Sequence, residues 1–393
     1  MLQSNVEFQR TSEINNWDNG TKMVVIFTNF GPYHMARIRA LTRYFTVDAI
    51  ELASYQRMYG WVEDKKAAAS IHTLCFGAWE EQNRLLIALR LWRKLDEIRP
   101  RVILVPGYAS APALAAALWG RLHGCLTVVM SESNAEDYPR KWLVELAKRK
   151  LITWLFDGAV VGGKRARRYM AKLGMRGMAV AVGYDVVDNA FFTELVDGAR
   201  GSLLQRTHRV PFFLYVGRMA SEKNISTLLK AFSAYREQGG QWSLVLVGDG
   251  PLADILRQEA GRLSCSESIV FAGYKTASEL ISFYAHAGCF VLPSKREPWG
   301  LVVNEALAAG LPVIVSSHCG CSDDLVEPNC NGFLIDPDEP SQLSQSLRDI
   351  SQRDPESLRA MGARSREIIR EFSPEAFAYN VSALVHNTLL RSN

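Results

Sequence analysis

Short apolar runs alternate with longer segments of helical periodicity along most of the chain. Four runs in the first half have the length of buried strands: MVVIF (23–27), VILVP (102–106), LTVVM (126–130) and GAVVG (158–162). Five more follow in the second half: FFLYVG (212–217), SLVLVG (243–248), SIVFAG (268–273), CFVLP (289–293) and PVIVS (312–316). Consecutive apolar positions are typical of parallel strands covered on both faces, and strand–helix alternation indicates right-handed crossovers. The pattern predicts two doubly wound α/β domains.

A polar stretch, Asp197–Arg209 (DGARGSLLQRTHR), interrupts this alternation, and we interpret it as a linker. We therefore place one domain at residues 1–197 and another at 198–373. The closing stretch, Pro374–Leu390, is expected to be a helix. Ligands of such folds bind beyond the carboxyl ends of the strands, so two domains facing one another would leave a binding cleft.

Composition is that of a globular protein rather than a disordered one. The chain has 393 residues, 48% of them hydrophobic and 22% charged, with a net charge of +4. Residues 1–20 lack the apolar core of a signal peptide. The longest uncharged run, Val102–Gly120, divides into a strand and an Ala-rich helix, which argues against a membrane span. Seven cysteines without a CxxC pair favour a reduced, cytoplasmic setting.

Two cations follow the strand FFLYVG. Gly217 ends that strand, and Arg218 and Lys223 come before a helix expected to start near Asn224. Glycine permits close backbone approach, and a helix N-terminus offers free N–H groups to an anion. The two cations together suit a diphosphate, since an arginine guanidinium forms forked hydrogen bonds and a lysine ammonium acts as a point charge. Ordinary solvated loop cations are the alternative interpretation.

Two glutamates, Glu297 and Glu305, lie eight residues apart around the start of another predicted helix. Glu297 precedes that helix, where a carboxylate also interacts favourably with the helix dipole. Glu305 lies among apolar residues, and a buried carboxylate needs a partner. Hydroxyls of a sugar or a ribose would be suitable donors. The turn GDGPL (248–252), earlier in the chain, is interpreted as a structural connector.

Taken together, these segments resemble a known family. From Tyr215 to about Leu347 the chain is similar to the donor-binding domain of retaining glycosyltransferases of the GT-B fold, in the large group 1 or GT4 family. The segments VGR…EKN, GDGPL, FAGY, the E-x7-E pair and NEALAAGLPVIVS occur in the family's order and spacing. The resemblance implies two Rossmann-like domains facing a cleft. Residues 1–197, joined by a C-terminal helix at about 374–393, would bind the acceptor, and residues 198–373 the donor.

The resemblance also implies roles for individual residues. Arg218 and Lys223 would hold the donor diphosphate and stabilise its charge in place of a divalent metal. Glu297 would contact the donor sugar, and Glu305 the ribose.

Backbone and base contacts are implied as well. Gly300 and Leu301 would offer N–H groups near the phosphates. Tyr274 and Lys275, which follow the FAGY strand, would lie beside the base.

In the first half the match to the family is partial. The segment Asn29–His34 (NFGPYH) has one glycine, Gly31, where the family has a glycine-rich loop near the donor phosphates. His34 is a candidate acceptor-side group, or else a helix-start histidine with a structural hydrogen bond. Many relatives place a histidine where this chain has Glu132. That carboxylate would accept from the donor sugar, orient the acceptor or cap a helix.

The resulting expectation is transfer of a sugar from a UDP- or GDP-sugar to an acceptor hydroxyl with retention of configuration, in bacterial glycan, polysaccharide or glycoconjugate biosynthesis. Neither a metal nor a resident cofactor is expected. A sugar-nucleotide epimerase of the GT-B fold, and a non-catalytic nucleotide-sugar binding protein, are the rival hypotheses.

Positive charge is concentrated in the first half of the chain. Residues 1–200 hold 27 Lys/Arg and 20 Asp/Glu, and residues 140–176 alone hold 11 basic and 2 acidic residues. Trp142 and Trp154 interleave with cations within 140–168, which fits a helix lying on an anionic bilayer at the inner face of the membrane. Core packing with snorkelling cations and a pocket for an anionic acceptor are alternatives. Nucleic acid is not expected, because no recognised binding module is present.

Overall fold

Two parallel β-sheets organise the part of the chain that the computed structural model describes, residues 20–56, 69–136, 140–175, 179–201 and 211–392. The chain divides into two units. The first takes residues up to Gly162, Ala166–Val186 and the stretch from Pro374 onward. The second takes Gly163–Arg165 and Val187–Ser373.

The first unit is built on a seven-stranded sheet. Its strands are β1 (Lys22–Phe27), β2 (Thr46–Glu51), β3 (Ser70–Thr73), β4 (Val102–Pro106), β5 (Leu126–Ser131), β6 (Gly158–Val161) and β7 (Val180–Val182). They lie in the order β3-β2-β1-β4-β5-β6-β7. Each pairing is parallel; in β1, for example, Val25 is in register with Ala49 on one side and Leu104 on the other.

Helices connect these strands and cover the sheet. They are Pro32–Leu41, Arg84–Ile98, Ala111–Leu122, Trp142–Leu155, Lys164–Lys172 and Pro374–Ser392. Local sequence determines where two of these helices begin. The Asn83 side chain accepts from the N–H groups of Leu85 and Leu86, and the Ser110 side chain accepts from the N–H of Ala113. The last helix buries Phe377 and Leu384 and packs against β6, β7 and the helix Pro32–Leu41.

The second unit is built on a six-stranded parallel sheet. Its strands are β8 (Phe212–Val216), β9 (Ser243–Val247), β10 (Ile269–Gly273), β11 (Cys289–Leu292), β12 (Val313–Ser316) and β13 (Gly332–Ile335), in the order β10-β9-β8-β11-β12-β13. The helices are Asn189–Gly201, Ile225–Glu237, Ala253–Gly261, Ala277–His286, Leu301–Ala308, Ser322–Leu325, Pro340–Ser351 and Pro355–Arg370. A capping box between Thr276 and Glu279 begins the helix Ala277–His286.

The nine strands that the apolar runs predict are confirmed, and the two sheets have the Rossmann-like strand order expected of the GT-B fold. The sequence pattern misses β2, β3, β7 and β13. In β2 the apolar run is broken by Asp48 and Glu51, which are nevertheless buried. Asp48 contacts His72 at 2.8 Å, and Glu51 accepts from the N–H of Phe30, so tertiary partners satisfy both carboxylates.

The domain boundary differs from the predicted one. The chain passes from the first unit to the second after Val186, so the helix Asn189–Gly201 belongs to the second unit, although residues up to 197 were assigned to the first. Phe192 and Val196 are buried on this helix, and it packs against the helix Ala277–His286. Residues 197–201 of the predicted linker are thus helical, and its remainder, residues 202–209, lies outside the described residues.

Candidate functional site

The strand order of the second sheet reverses between β8 and β11. From β8 the chain adds β9 and β10 on one side, whereas from β11 it adds β12 and β13 on the other. The loops that follow the two strands therefore diverge and leave room at the carboxyl edge, the usual ligand position in open α/β sheets. The loop after β8 carries Arg218 and Lys223, and the loop after β11 carries Glu297 and Gly300.

Both cations of the first loop contact a glutamate. Lys223 forms an ion pair with Glu297, and the two side chains are only 17% and 13% exposed. Arg218 pairs with Glu222 and stays about half exposed. The N–H of Lys295 donates to the Glu222 carbonyl at 2.9 Å, which ties the two loops together. The structure thus brings the predicted Lys223 and Glu297 together across the switch point.

Charge balance in this loop favours an ionised Glu222. Partial burial acts to raise the pKa of Glu222, but a backbone hydrogen bond and the Arg218 guanidinium lower it by more, so the net pKa is below the ordinary value. Glu222 therefore remains charged and restrains Arg218.

The turn GDGPL (248–252) does more than connect a strand to a helix: it also supports the loop that carries Arg218. The Met219 N–H donates to the Asp249 carbonyl at 2.8 Å, and the Leu252 N–H donates to the Met219 carbonyl at 3.0 Å. Gly248 has φ of +134°, and a Cβ there would lie 1.9 Å from the Gly217 carbonyl oxygen. The turn therefore packs backbone to backbone against the loop of Arg218, which only glycine allows.

Glycine is also required at position 300. Gly300 has φ of +106° and directly precedes the helix Leu301–Ala308. A Cβ there would lie 3.2 Å from Leu292 and 3.3 Å from the Glu297 side chain. The first N–H groups of a helix have no acceptor within it, so Gly300 and Leu301 lie where an anion is favourably bound.

Glu305 is buried within that helix, and its carboxylate has a partner from the protein itself. The Tyr284 hydroxyl donates to Glu305 Oε2 at 2.7 Å, and Tyr284 is fully buried. Glu305 thus has the donor that a buried carboxylate needs, although its sequence neighbours did not identify Tyr284. Tyr284 lies on a different helix, Ala277–His286, whose apolar pattern gave no sign of the pairing.

Tyr274 and Lys275 follow β10 at the same carboxyl edge. Tyr274 is 64% exposed, which leaves its ring open to stacking. The Lys275 ammonium lies 3.8 Å from the Glu279 carboxylate, one turn further on. Since β10 is two strands away from β8, these side chains lie to one side of the switch point.

In the first unit, the loop after β1 is held by two local contacts. The Gly31 N–H donates to His34 Nδ1 at 3.0 Å, and Glu51 accepts from the Phe30 N–H at 3.2 Å. Burial, followed by the charge of Arg37, lowers the pKa of His34 well below its ordinary value. A neutral ring that accepts at Nδ1 carries its hydrogen on Nε2. His34 thus has the structural hydrogen bond that the sequence analysis considered, and its remaining ring nitrogen is a donor.

Glu132 directly follows β5 and is exposed. Burial, followed by the charge of Glu132, raises the pKa of Asp185, which is only 1% exposed and follows β7. The next helix among the described residues begins at Trp142, so the helix-cap interpretation of Glu132 is wrong. The sequence pattern did not single out Asp185. The sequence did offer one sign of buried charge in this region, the cation Arg37 within the apolar run Met35–Ile38. The structure shows that Arg37 is buried.

The basic stretch contains an exposed amphipathic helix, Trp142–Leu155. Only Ile152 and Leu155 are buried, whereas six large apolar side chains are exposed: Trp142, Leu143, Val144, Leu146, Leu151 and Trp154. Core packing of these apolar positions is therefore contradicted. Lys164 and Arg165 belong to the second unit, where both contact Asp323, Arg165 at 2.7 Å. The basic surface is accordingly smaller than 140–168.

Among the residues that the structure describes, no group of three or more His, Cys, Asp or Glu side chains is arranged to hold a metal ion. No helix among them is long and apolar enough to cross a bilayer.

Residues 204–368 match the family model described as "Glycosyl transferases group 1". This segment is a glycosyl transferases group 1 domain. An uncharacterized glycosyltransferase of Methanocaldococcus jannaschii is 34% identical over 131 residues, 33% of each chain. The matched segment thus spans about a third of that relative's length.

Two further similarities extend beyond this domain. A GDP-mannose-dependent alpha-(1-6)-phosphatidylinositol monomannoside mannosyltransferase of Mycobacterium tuberculosis is 28% identical over 275 residues, 66% of this chain and 69% of that one. The crystal structure of Anabaena HepE in complex with UDP has a TM-score of 0.70 at 16% identity, covering 93% of this chain and all of that one. This last likeness shows a shared fold.

Proposed function

We propose that this protein is a retaining glycosyltransferase that moves a sugar from a UDP- or GDP-sugar to an acceptor hydroxyl. One observation carries the proposal: Lys223 and Glu297 meet at the switch point of the second sheet, beside the N-terminus of the helix Leu301–Ala308. A cation, a carboxylate and helix N–H groups are together suited to a sugar diphosphate. The group 1 domain and the UDP-bound structure of the same fold support it.

The proposed donor contacts use the geometry of this unit. Arg218 and Lys223 hold the diphosphate with the N–H groups of Gly300 and Leu301. The Glu297 carboxylate accepts from a hydroxyl of the donor sugar while it keeps Lys223 in place. Glu305 accepts from the ribose as well as from Tyr284, since a carboxylate has several acceptor positions.

The base and acceptor contacts complete the proposal. Tyr274, exposed at the same edge, stacks on the base, and Lys275 lies beside it. On the first unit, Gly31 is a backbone contact, His34 donates from Nε2, and Glu132 accepts from a hydroxyl.

In the proposed reaction the bond from the anomeric carbon to the diphosphate oxygen breaks, and a bond to the acceptor oxygen forms on the same face. The acceptor proton passes to the leaving phosphate oxygen, so no separate base is required. Arg218 and Lys223 stabilise the charge that develops on the diphosphate. No step in this scheme needs a divalent metal.

A panel of UDP- and GDP-sugars, followed by thermal shift and by slow donor hydrolysis, tests the proposal. Lys223→Ala is expected to weaken donor binding at least 100-fold, because a buried charge-assisted contact is lost. The matched control is Lys230→Ala, an exposed lysine on the helix that follows. A chelator is expected to leave the rate unchanged. Equal affinity of the Lys223 and Lys230 variants would contradict the proposal.

The same panel separates the rival functions. An epimerase would convert the donor alone to its epimer, whereas a binding protein would be stabilised by the donor without any turnover. A transferase instead releases the nucleoside diphosphate faster when an acceptor is present.

We also propose that the helix Trp142–Leu155 places the protein at the inner face of the membrane, within reach of a lipid-linked acceptor of bacterial glycan synthesis. Its exposed tryptophans and leucines, which alternate with Lys148, Arg149 and Lys150, fit an anionic bilayer surface. The lipid acceptor named for the mycobacterial relative supports this proposal.

Vesicle flotation tests the membrane proposal. Replacing Lys148, Arg149 and Lys150 by glutamine is expected to weaken binding to phosphatidylglycerol vesicles on the order of 100-fold, at about 1 kcal/mol per cation. Replacing the exposed Lys230 and Arg262 of the second unit is the control and is expected to change little. If the parent protein does not float with anionic vesicles at low salt, the proposal fails.

A further inference from the structure

Asn224 has an uncommon backbone conformation and a buried side chain. It directly follows Lys223, it is 8% exposed, and its φ of +58° and ψ of +35° are left-handed. Asparagine is one of the few residues besides glycine that adopt this conformation readily. The Asn224 carbonyl accepts from the Thr227 N–H at 3.1 Å and so begins the helix Ile225–Glu237. The backbone accounts for an asparagine or a glycine at this position, and the side-chain contacts decide between the two.

Both amide hydrogens of the Asn224 side chain are used inside the protein. Nδ2 donates to the Pro293 carbonyl at 3.2 Å and to the Pro337 carbonyl at 2.8 Å. Carbonyl oxygens only accept, so these two contacts fix the orientation of the amide. The Thr227 hydroxyl then donates to Oδ1 at 2.8 Å and holds the amide in that orientation. Glycine would allow the same backbone conformation but would leave both carbonyls without this donor.

The contacts of Asn224 join the carboxyl ends of three strands. Asn224 lies between β8 and the helix that follows it, Pro293 is the first residue after β11, and Pro337 is the second residue after β13. β8 and β11 are the neighbours at which the strand order reverses, and β13 is the edge strand on the side of β11. One buried side chain thus connects loops on the two sides of the switch point.

Lys223 is consequently held from both sides. The preceding residue, Glu222, accepts through its carbonyl from the Lys295 N–H at 2.9 Å. The following residue, Asn224, donates to the carbonyl two residues before Lys295. Both anchors lie in the segment that leads to Glu297, whose carboxylate pairs with Lys223. Because a lysine side chain is long and flexible, these backbone anchors decide where its ammonium is placed relative to the carboxylate.

We propose that Asn224 is a positioning residue, whose buried amide holds the loop after β8 against the loop after β11 and thereby sets Lys223 opposite Glu297. The consequence for donor binding rests on the proposed function, whereas the effect on the ion pair does not. When the amide is removed, the backbone of Lys223 loses one of its two anchors to the segment of Glu297. Both the ion pair and the proposed diphosphate contact then weaken.

Double-mutant cycles measured by urea unfolding test the positioning without any ligand. Lys223→Met and Glu297→Gln, made singly and together, give the coupling free energy of the ion pair. In an Asn224→Gly background, which allows the left-handed backbone but removes the amide, this coupling is expected to fall by about half or more. An amide that only stabilises the fold would lower the free energy of unfolding and leave the coupling unchanged, and that result overturns the proposal.

Asn329→Gly is the matched control. Asn329 also has a left-handed backbone, with φ of +66°, but it is exposed and lies before β13. The full coupling is expected in this variant, and an equal loss in the two glycine variants overturns the proposal. If Asn224→Gly does not fold, Thr227→Val replaces it, because this change removes the hydroxyl that holds the Asn224 amide. An undiminished coupling in Thr227→Val then overturns the proposal.

Titration with UDP and GDP connects this position to the proposed function. Asn224→Gly is expected to lower nucleoside diphosphate affinity roughly tenfold in the parent and to change it little in a Lys223→Ala background, because its effect passes through Lys223. Equal losses of affinity in both backgrounds would overturn the positioning role. If the parent binds neither nucleotide, the proposed function is contradicted instead, and the result of the unfolding cycles still stands.

Discussion

At the scale of single residues, the buried carboxylates show most clearly which contacts the sequence predicts and which it does not. Glu305 stands out in the sequence because its neighbours are apolar, and the structure confirms that it is buried. Its donor, Tyr284, is 21 residues away on another helix, a pairing that no local pattern encodes. Asp185 is buried as well, and the charges that act on its pKa, Glu132 and Arg37, lie on distant parts of the chain.

Tyr284→Phe tests the pairing with Glu305. Loss of the hydroxyl is expected to lower the free energy of unfolding by roughly 1.5–3 kcal/mol, because a buried carboxylate loses a donor. If Glu305 binds the ribose, nucleoside diphosphate affinity should fall as well, measured by calorimetry.

Tyr235→Phe is the matched control for this change. Tyr235 is a buried tyrosine of the same unit, and its hydroxyl accepts from the Trp242 N–H. We expect a loss of about 1 kcal/mol and no change in nucleotide affinity. If the two variants bind nucleotide equally well, the Tyr284 hydroxyl does not position Glu305 for a ligand.

At the scale of elements, turns fix the loops that carry the candidate side chains. The GDGPL turn supports the loop of Arg218 through backbone hydrogen bonds and a glycine contact. The sequence identified the turn as a strand–helix connector but not what it packs against. Likewise β2 was not predicted, since Asp48 and Glu51 break its apolar run and their partners come from β3 and the loop after β1.

Gly248→Ala tests the support that this turn gives. The added Cβ would meet the Gly217 carbonyl at 1.9 Å, so the loop of Arg218 must shift. Donor affinity is expected to fall at least tenfold. Gly239→Ala is the control, because Gly239 also has a positive φ but no atom within 4 Å of the added Cβ.

For the control we expect a stability loss of about 1 kcal/mol from backbone strain alone, with donor affinity unchanged. Urea unfolding and nucleotide titration measure both quantities. Equal donor affinities in the two variants would show that the turn does not position Arg218.

At the scale of the whole molecule, the sequence by itself determined the fold class, nine of the strands and the group of residues at the switch point of the second sheet. It did so because buried parallel strands are apolar at consecutive positions and because loop glycines and charged residues follow them directly. Tertiary structure alone decided the unit boundary at Val186 and the surface position of the helix Trp142–Leu155. It also decided that Lys164 and Arg165 contact Asp323. Each of these depends on contacts between residues distant in the chain, which local periodicity does not record.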